Sequence, residues 1–438
     1  MKSLLMRAGG VALSLALASA AAAAEPGDPK IAARVDRVLA RTPLIDGHND
    51  LPWEIRTRFA SKLEGVDLKS DTSKAPSPEE GGRGLMTDIP RMRVGRMGGQ
   101  FWSVWIPSSI TGPAAVQTTL EQMDLVKRLA ERYPADFEMA YTADDIVRIH
   151  RAGRMAALIG VEGGNQINES LASLRQLYAA GARYMTLTHA INIRWADSAT
   201  ANPAHGGLTP FGKQVVAEMN RMGMLVDLSH VSEATMTSAL ETTKAPVIFS
   251  HSGSRAISNH PRNVSDDVLA LVAKNHGVVM VNFAPIYVSE ARAHWEADRS
   301  AEQARYNSPP YGGLYIGQPD KAKAALAAWE QAHPMPPVTL SMVADHIEHI
   351  AKVCGVDCVG IGSDFDGIPN TPEGLDGVDK YPALLAELAR RGWSDEALAK
   401  LAGGNVLRVM RANETVAKTL RANTTASAAR LEDLDAAK

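Results

Sequence analysis

Cysteine is scarce in this sequence, and the two cysteines present lie close together. Cys354 and Cys358 are the only two in 438 residues. So few cysteines exclude a disulfide-rich scaffold, and one pair without a second is a poor signal for a zinc knuckle. Two interpretations stay open. The pair forms a local disulfide in an oxidising compartment, or it consists of two buried thiols between a helix end and a strand start.

The sequence also has no excess of basic over acidic residues. The chain has 46 Lys and Arg against 49 Asp and Glu, for a formal net charge of -3. This balance excludes the basic footprint that nucleic-acid binding requires, and it argues against binding to anionic membrane surfaces. Hydrophobic residues make up 45% of the chain and charged residues 22%, which fits a globular protein with a sizeable core.

Long apolar runs are absent beyond the first 24 residues. Within those, Lys2 and Arg7 are the only charges, and an apolar run from Val11 to Ala24 ends in small residues. This pattern predicts a signal peptide at residues 1–24, cleaved after Ala24, and therefore an exported, periplasmic or secreted protein. The alternative is an uncleaved anchor, but the run is short for a membrane span. The mature protein is expected to be soluble, with no stable membrane anchor.

Eight short apolar or β-branched runs each end in polar residues. They are residues 44–50, 100–107, 156–164, 182–190, 225–230, 246–252, 277–285 and 358–367. Most are separated by stretches with the apolar spacing of amphipathic helices. Strands alternating with helices predict a parallel sheet, and eight such units favour an α/β fold of the closed (β/α)₈ TIM-barrel type. No G-x-G-x-x-G motif follows any of these runs, which counts against a dinucleotide-binding fold.

The predicted barrel domain occupies residues 25–411 and carries two insertions. These are a polar, Gly/Pro-rich segment at about 61–85 and a longer one at about 288–338. Each follows a predicted strand, so both are expected at the active-site end of the barrel. Long loops in compact domains are often lids or binding loops, and this function is expected of the second insertion. Residues 412–438 are expected to form a peripheral tail.

Metal-binding side chains end most of the predicted strands, and in a parallel barrel these ends meet at one mouth. The residues are His48, Asp50, Glu162, His189, His230, His251, Asp364 and Asp366. Side chains alternate along a strand, so His48 and Asp50 are expected to point the same way. A lone histidine in such a position is more often structural. Four of the 12 histidines, joined by carboxylates, are hard to explain by packing.

Imidazole and carboxylate groups without thiolates suit zinc, with manganese, iron or cobalt as alternatives. The positions favour two metal ions, one held by His48 and Asp50 and the other by His230 and His251. Glu162 is expected to bridge them. The bridging position would also hold a water or hydroxide, acidified by both metals.

Several motifs, in a fixed order, resemble the membrane (renal) dipeptidase family of zinc peptidases. They are LIDGHNDLPW, LIGVEGG, MTLTHA, LVDLSHVS, FSHSGSRAI, HPRNVSDDVLALV, VVMVNF and GIGSDFDG, with GGNVLRV at residues 403–409. The resemblance spans nearly the whole chain after residue 44. It implies an amidohydrolase-like barrel that holds two zinc ions per chain and cleaves dipeptides, and that is often a homodimer.

The resemblance also implies a function for each site residue. The implied zinc ligands are His48, Asp50, Glu162 as the bridge, His230 and His251. His189 would stabilise the oxyanion, and Arg262 would bind the C-terminal carboxylate of the dipeptide. Asp364 would carry a proton to the leaving amine, and Tyr287 would reach the substrate. Asp366 is expected to be structural and to hold the turn at Gly367.

Other functions remain as alternatives. A metal-dependent amidohydrolase would use the same residues on a different amide, such as a β-lactam or an N-acyl amino acid. An inert barrel that serves as a binding module is disfavoured because no implied ligand is missing from the sequence. The family resemblance implies tolerance of a D-residue at the C-terminal position of the dipeptide. The C-terminal stretch has no apolar segment, so no glycolipid anchor is expected.

Overall fold

A computed structural model describes residues 28–77, 82–308 and 312–435. The predicted signal peptide at residues 1–24 lies outside them. The nine strands of this part of the chain are β1 Leu44–Asn49, β2 Met97–Trp105, β3 Phe137–Met139, β4 Met155–Glu162, β5 Ala182–Thr186, β6 Leu225–Asp227, β7 Ile248–Phe249, β8 Val278–Val281 and β9 Val359–Ile361. All of their pairings are parallel.

The helices follow the strands in alternation, as the sequence predicts. They are α1 Pro29–Arg41, α2 Leu51–Phe59, α3 Ile89–Val94, α4 Pro113–Arg132, α5 Ala143–Arg151, α6 Leu171–Ala179, α7 Pro210–Met222, α8 Glu233–Thr242, α9 Asp266–Asn275, α10 Pro285–Val288, α11 Glu290–Asn307, α12 Pro319–Ala332, α13 Leu340–Cys354, α14 Tyr381–Arg390, α15 Asp395–Ala399, α16 Asn405–Asn423 and α17 Leu431–Leu434. A π-helical stretch, Lys400–Gly404, joins α15 to α16.

Eight of the strands close into a ring. The order β2-β1-β9-β8-β7-β6-β5-β4 is completed by pairing of β2 with β4 along seven residue pairs. This confirms the predicted (β/α)₈ barrel. Six ring strands lie within their predicted apolar runs, while β2 begins three residues and β4 one residue before theirs. The short strand β3 was not predicted. It pairs with the start of β4 outside the ring, and three residues are too few to show a period.

The bottom of the barrel is filled by apolar side chains, so the barrel has a floor rather than a pore. Buried residues from different strands meet there, among them Ile45, Phe101, Leu158, Tyr184, Val278 and Met280. Tyr184 crosses the interior only because position 160 is glycine. A Cβ on Gly160 would lie 1.9 Å from the Tyr184 ring. The Tyr184 hydroxyl thereby reaches the mouth of the barrel, where the strand-end residues lie.

Both predicted insertions lie around this mouth. Arg83, at the end of the first, donates hydrogen bonds to the carbonyls of Ile368 (3.1 Å) and Asp366 (3.1 Å). The second contains α11 and α12, which pack against each other as a helical hairpin. The Trp295 and Trp329 rings are 5.9 Å apart, and Arg299 pairs with Glu330 at 2.6 Å.

The segment after residue 411 packs on the barrel. Helix α16 runs to Asn423 along α7, with Ala417 buried. Further on, Leu431 is also buried, and the Asp435 carboxylate accepts a hydrogen bond from the Phe211 amide at 3.1 Å.

Cys354 and Cys358 are joined by a disulfide, which decides between the two interpretations left open by the sequence. Among the described residues, no helix combines the length and the apolarity needed to cross a bilayer.

His346 of α13 ties the loop after β7 to the start of the second insertion. The Ser254 amide donates to its Nδ1 at 2.9 Å, so the ring proton is on Nε2, which faces the Val288 carbonyl at 3.0 Å. Acceptance of the Ser254 hydrogen bond at Nδ1 needs the neutral ring, and burial lowers the pKa of His346 to about 4. An unfolded histidine titrates near 6.5. The stabilisation is therefore present above pH 6.5 and is lost as the pH falls towards 4.

We expect the free energy of unfolding to fall by up to about 3 kcal/mol over this interval because of His346 alone. His346→Gln can make both hydrogen bonds without titrating, so it should lose correspondingly less stability on acidification. Urea unfolding of both proteins at several pH values between 7.5 and 4 measures the difference. Equal losses in the two proteins would contradict the assignment to His346.

Candidate metal centre

Seven of the sequence-predicted residues converge at the mouth of the barrel. Three groups have potential ligand atoms that all lie within 4.8 Å of one another: His48, Glu162 and His251; Glu162, His189 and His230; and His48, Asp50 and Asp364. Arg262, Tyr287 and Asp366 line the same cavity. The structure thus brings together every residue that the sequence singled out for this site.

Local backbone irregularities help to aim several of these side chains. The register of β1 against β2 shifts between Asp46 and Asn49, as in a β-bulge, which re-aims the His48 side chain. Asp50 lies beyond the strand, at the N-cap of α2. His230 and Asp364 both have a φ of 66°, in the left-handed region that non-glycine residues rarely adopt. Such strain is common at functional sites.

Glu162, at the end of β4, is the centre of the cluster. Its Oε2 atom accepts a hydrogen bond from Ser103 at 3.1 Å and lies 3.4 Å from His48 Nε2. Its Oε1 atom lies 3.0 Å from His230 Nε2 and 3.4 Å from His251 Nε2. The two carboxylate oxygens therefore face two different sets of imidazole nitrogens.

Hydrogen bonds behind the cluster determine the tautomers of two histidines. The Tyr184 hydroxyl donates to the Gly47 carbonyl (3.1 Å), so it accepts from His48 Nδ1 (3.0 Å). In the same way the Ser250 hydroxyl donates to Asp227 (2.6 Å) and accepts from His251 Nδ1 (2.8 Å). In its neutral form each ring therefore has its proton on Nδ1 and its Nε2 lone pair directed into the cluster. Metal-ligating histidines are commonly oriented in this way. Burial opposes a charge on His48, but Glu162, Tyr184 and Asp50 outweigh it and raise the pKa of His48 well above its usual value.

The electrostatics of the cluster favour a bound positive charge. Burial alone would raise the pKa of Glu162, but His48, His189 and a hydrogen bond from His230 hold it well below its usual range. Burial, Arg262 and His189 lower the pKa of His230 strongly, which favours the neutral imidazole, the form that can bind a metal. Removing carboxylates from water is costly unless a cation or a proton compensates them. The donor set of imidazole nitrogens and carboxylate oxygens fits a metal cofactor.

Asp364 faces the cavity beside these groups. Loss of water around it raises the pKa of its carboxyl to about 7, and the nearby carboxylates of Asp50 and Glu162 add to this rise. His48 and a hydrogen bond from Asn282 Nδ2 (3.0 Å) oppose it. Asp366, unlike Asp364, makes a structural contact with the backbone. Its Oδ1 accepts from the Met86 amide at 2.7 Å and joins the segment just after the first insertion to the loop after β9.

Arg262 lies in the wall of the cavity with only 1% of its surface exposed. Its contacts there are weak: 3.4 Å to the Ser252 hydroxyl, 3.3 Å to the His251 carbonyl, and a cation–π contact of 5.3 Å with the Tyr287 ring. Its buried Nε has no hydrogen-bond partner among the described residues. A buried guanidinium with spare donors suits a planar anion such as a carboxylate.

Sequence reasoning missed the residues that support the cluster. Ser103, Tyr184, Asp227, Ser250 and Asn282 orient its members, and Trp53 and Trp105 line the cavity. For some of them a signal was present. Ser103 is a polar residue within an apolar strand, and Ser250 directly precedes His251. Tyr184 gave no signal because its contact with His48 spans 136 positions of sequence.

The chain matches one protein family and several solved structures. The sequence profile of the family described as Membrane dipeptidase (Peptidase family M19) matches residues 32–424. Three solved structures share the fold. The probable dipeptidase PvdM from Pseudomonas aeruginosa is 24% identical, with 89% of this chain and 100% of that chain covered and a TM-score of 0.71.

An amidohydrolase from Pseudomonas aeruginosa is 20% identical, with coverages of 86% and 98% and a TM-score of 0.64. A metallo peptidase from Rhodobacter sphaeroides, liganded with a phosphinate mimic of the dipeptide L-Ala-D-Ala, is 22% identical, with coverages of 85% and 99% and a TM-score of 0.64. The profile match over nearly the whole chain confirms the predicted family. The chain belongs to the membrane dipeptidase family, peptidase family M19, and is a hydrolase of the metallo-dipeptidase class.

Proposed function

We propose that this chain hydrolyses the peptide bond of dipeptides with two zinc ions held at the mouth of the barrel. The observation that carries the proposal is the position of the Glu162 carboxylate between two sets of donors. His48 and Asp50 would hold one ion, His230 and His251 the other, and Glu162 both. When bound, the ions would polarise the scissile carbonyl and lower the pKa of a water molecule.

Arg262 would bind the C-terminal carboxylate of the dipeptide. Its burial and its spare donors support this function, since an unpaired buried guanidinium gains most from a carboxylate partner. One such anchor at a short distance from the metal ligands would explain a preference for dipeptides over longer peptides. The Tyr287 ring lies against the same guanidinium and would contact the bound residue.

His189 and Asp364 would act on the reacting atoms. His189 lies 3.9 Å from Glu162 Oε1 and lines the cavity, where its imidazole would donate to the carbonyl oxygen as negative charge develops there. Asp364 would take a proton from the attacking water and pass it to the leaving amine. A carboxyl whose pKa lies near neutrality is suited to both transfers.

The substrate range would include dipeptides with a D-residue at the C-terminal position. The structurally similar Rhodobacter protein was solved with a mimic of such a dipeptide. Export to an oxidising compartment is proposed as well, supported by the Cys354–Cys358 disulfide and by the N-terminal sequence pattern.

Ser250→Ala tests the hydrogen-bond support of the centre. The substitution removes the group that fixes His251 Nδ1, so the affinity for the ion is expected to fall about 10- to 100-fold. Competition with a chelator of known affinity measures the change. Ser265→Ala is a matched control, since Ser265 also donates to a carboxylate, Glu233, but lies outside the cluster. Equal affinities in the Ser250 variant and the wild type would contradict an orienting function.

Metal content measured together with activity tests the function itself. Purified protein would be analysed by inductively coupled plasma mass spectrometry and assayed on L,L and L,D dipeptides, N-acyl amino acids and a β-lactam, with and without chelator. We expect close to two zinc ions per chain and chelator-sensitive cleavage of dipeptides. Metal-dependent cleavage of the other amides alone would favour the broader amidohydrolase function. Absence of metal and activity after reconstitution would refute the proposal.

A further inference from the structure

The hairpin of α11 and α12 forms one wall of the cavity above the cluster. Arg292, near the start of α11, is buried and attaches the hairpin to the loop after β9 through Asn370 Oδ1, at 2.9 Å. That loop also contains Asp364. The hairpin is thus tied to the site itself, and its side chains line the same cavity as Glu162.

The cavity is larger than a small dipeptide needs. Its volume is about 1210 Å³, above the range of roughly 300–1,000 Å³ that is usual for small-molecule sites. The side of the cavity formed by the segment after β8 and the loop after β9 includes Ile286, Trp295, Met335, Ile368 and Pro369. Met335 is 50% exposed. A flexible thioether beside an indole ring suits apolar groups of varied shape.

The charged side chains on this wall already pair with one another. Arg292 Nε lies 2.9 Å from Glu296, and Arg299 Nε lies 2.6 Å from Glu330. The Trp295 indole donates to the His333 carbonyl at 2.7 Å. An occupant of this part of the cavity would therefore meet the Trp295 indole and apolar side chains, with little gain for a charged group.

The position of Arg262 decides which part of a dipeptide lies against this wall. Tyr287, which packs on the Arg262 guanidinium, belongs to α10, and α10 leads directly into α11. A carboxylate held by Arg262 would place the C-terminal residue beside the hairpin. The N-terminal residue then extends towards Trp53 and Trp105, which come from the β1 and β2 side of the barrel.

We propose that the hairpin wall is the subsite for the side chain of the C-terminal residue, and that it selects large apolar side chains, aromatic ones above all. This inference rests on the proposed dipeptidase function and on Arg262 as the carboxylate site. Trp295 and Met335 are its specificity-determining residues.

The test is a substrate series measured on wild-type protein and on Trp295→Ala and Met335→Ala. One series is Ala-X with Gly, Ala, Leu, Phe, Asp and Lys as X, and the other is X-Gly with the same residues. We expect wild type to prefer Ala-Phe and Ala-Leu. Trp295→Ala should lower kcat/KM for Ala-Phe by about tenfold or more, with a change of less than about threefold for Ala-Gly. Met335→Ala should follow the same pattern more weakly.

Leu314→Ala is the matched control, since Leu314 follows α11 in the same insertion and is 60% exposed. It should leave both series unchanged. The inference would be overturned if Trp295→Ala lowered kcat/KM equally for all Ala-X substrates, or if its losses depended on X in the X-Gly series. It would also be overturned if wild-type protein cleaved all Ala-X substrates with the same kcat/KM. Met335→Ala keeps the test valid if Trp295→Ala does not fold, because Met335 is half exposed. Wild-type protein that cleaves no dipeptide would refute the proposed function rather than the subsite alone.

Discussion

Glu162→Gln is expected to abolish metal binding and to lower kcat/KM for dipeptides by at least about 10³-fold. The glutamine amide has one oxygen and one NH₂ group, so it cannot present an acceptor to both sets of donors. In the structure both Glu162 oxygens are used, one facing His48 and the other facing His230 and His251. The amide also lacks the negative charge that would offset the charge of the proposed metal ions. Metal content per chain and steady-state kinetics measure the two effects.

Glu218→Gln is the matched control for this experiment. Glu218 is also a buried glutamate, 2% exposed, but it lies on α7 and pairs with Arg175 and Arg221 at 3.1 and 2.8 Å. Its replacement should lower stability while metal content and kcat stay near wild-type values. A Glu162→Gln protein that keeps two metal ions and at least a tenth of the activity would show that the bridging assignment is wrong.

Asp364→Asn is expected to lower kcat by about 10²- to 10⁴-fold, the usual contribution of a general acid–base group. The amide keeps the size of the side chain but cannot accept and release the proton. Because Asp364 is proposed to act on the proton and not to hold metal, metal content should stay at the wild-type level. KM should also change little, since the carboxylate anchor at Arg262 is untouched. Initial rates over a range of substrate concentration separate kcat from KM.

Asp366→Asn provides the comparison for this variant. Asp366 is a buried carboxylate two residues away, and its Oδ1 atom holds the Met86 amide. Its replacement should affect stability more than kcat. Loss of metal from the Asp364→Asn protein, in proportion to the loss of activity, would show that Asp364 is a ligand and not the proton carrier.

Much of the site was predictable because parallel strands bring their carboxyl ends to one edge. His48, Glu162 and His251 are far apart in the chain, but each lies at or just after a predicted strand. Once the eight apolar runs indicated a barrel, these residues had to meet. The family motifs then implied Arg262, which composition and spacing alone would leave as a surface arginine. In the structure Arg262 is buried in the cavity wall.

The support of the cluster was not predictable, because it depends on contacts across the barrel. Tyr184 reaches His48 through space left by Gly160, and Asp227 reaches His251 through Ser250. Neither pair has a spacing that a sequence pattern could reveal. Alternation along β1 is only part of the reason that His48 and Asp50 meet, with 3.1 Å between Nε2 and Oδ2. The irregular register of β1 and the turn into α2 aim these side chains.

The sequence by itself determined the barrel, the family and the set of chemical groups at its mouth. Strand periodicity and residue type are local properties of the sequence. A closed parallel barrel brings the ends of all its strands, and the residues on them, together at one mouth. Only the tertiary structure decided the tautomers of His48 and His251, the left-handed backbone at His230 and Asp364, the disulfide, and the hairpin wall over the cavity. These features depend on distances between segments remote in sequence, and packing alone sets those distances.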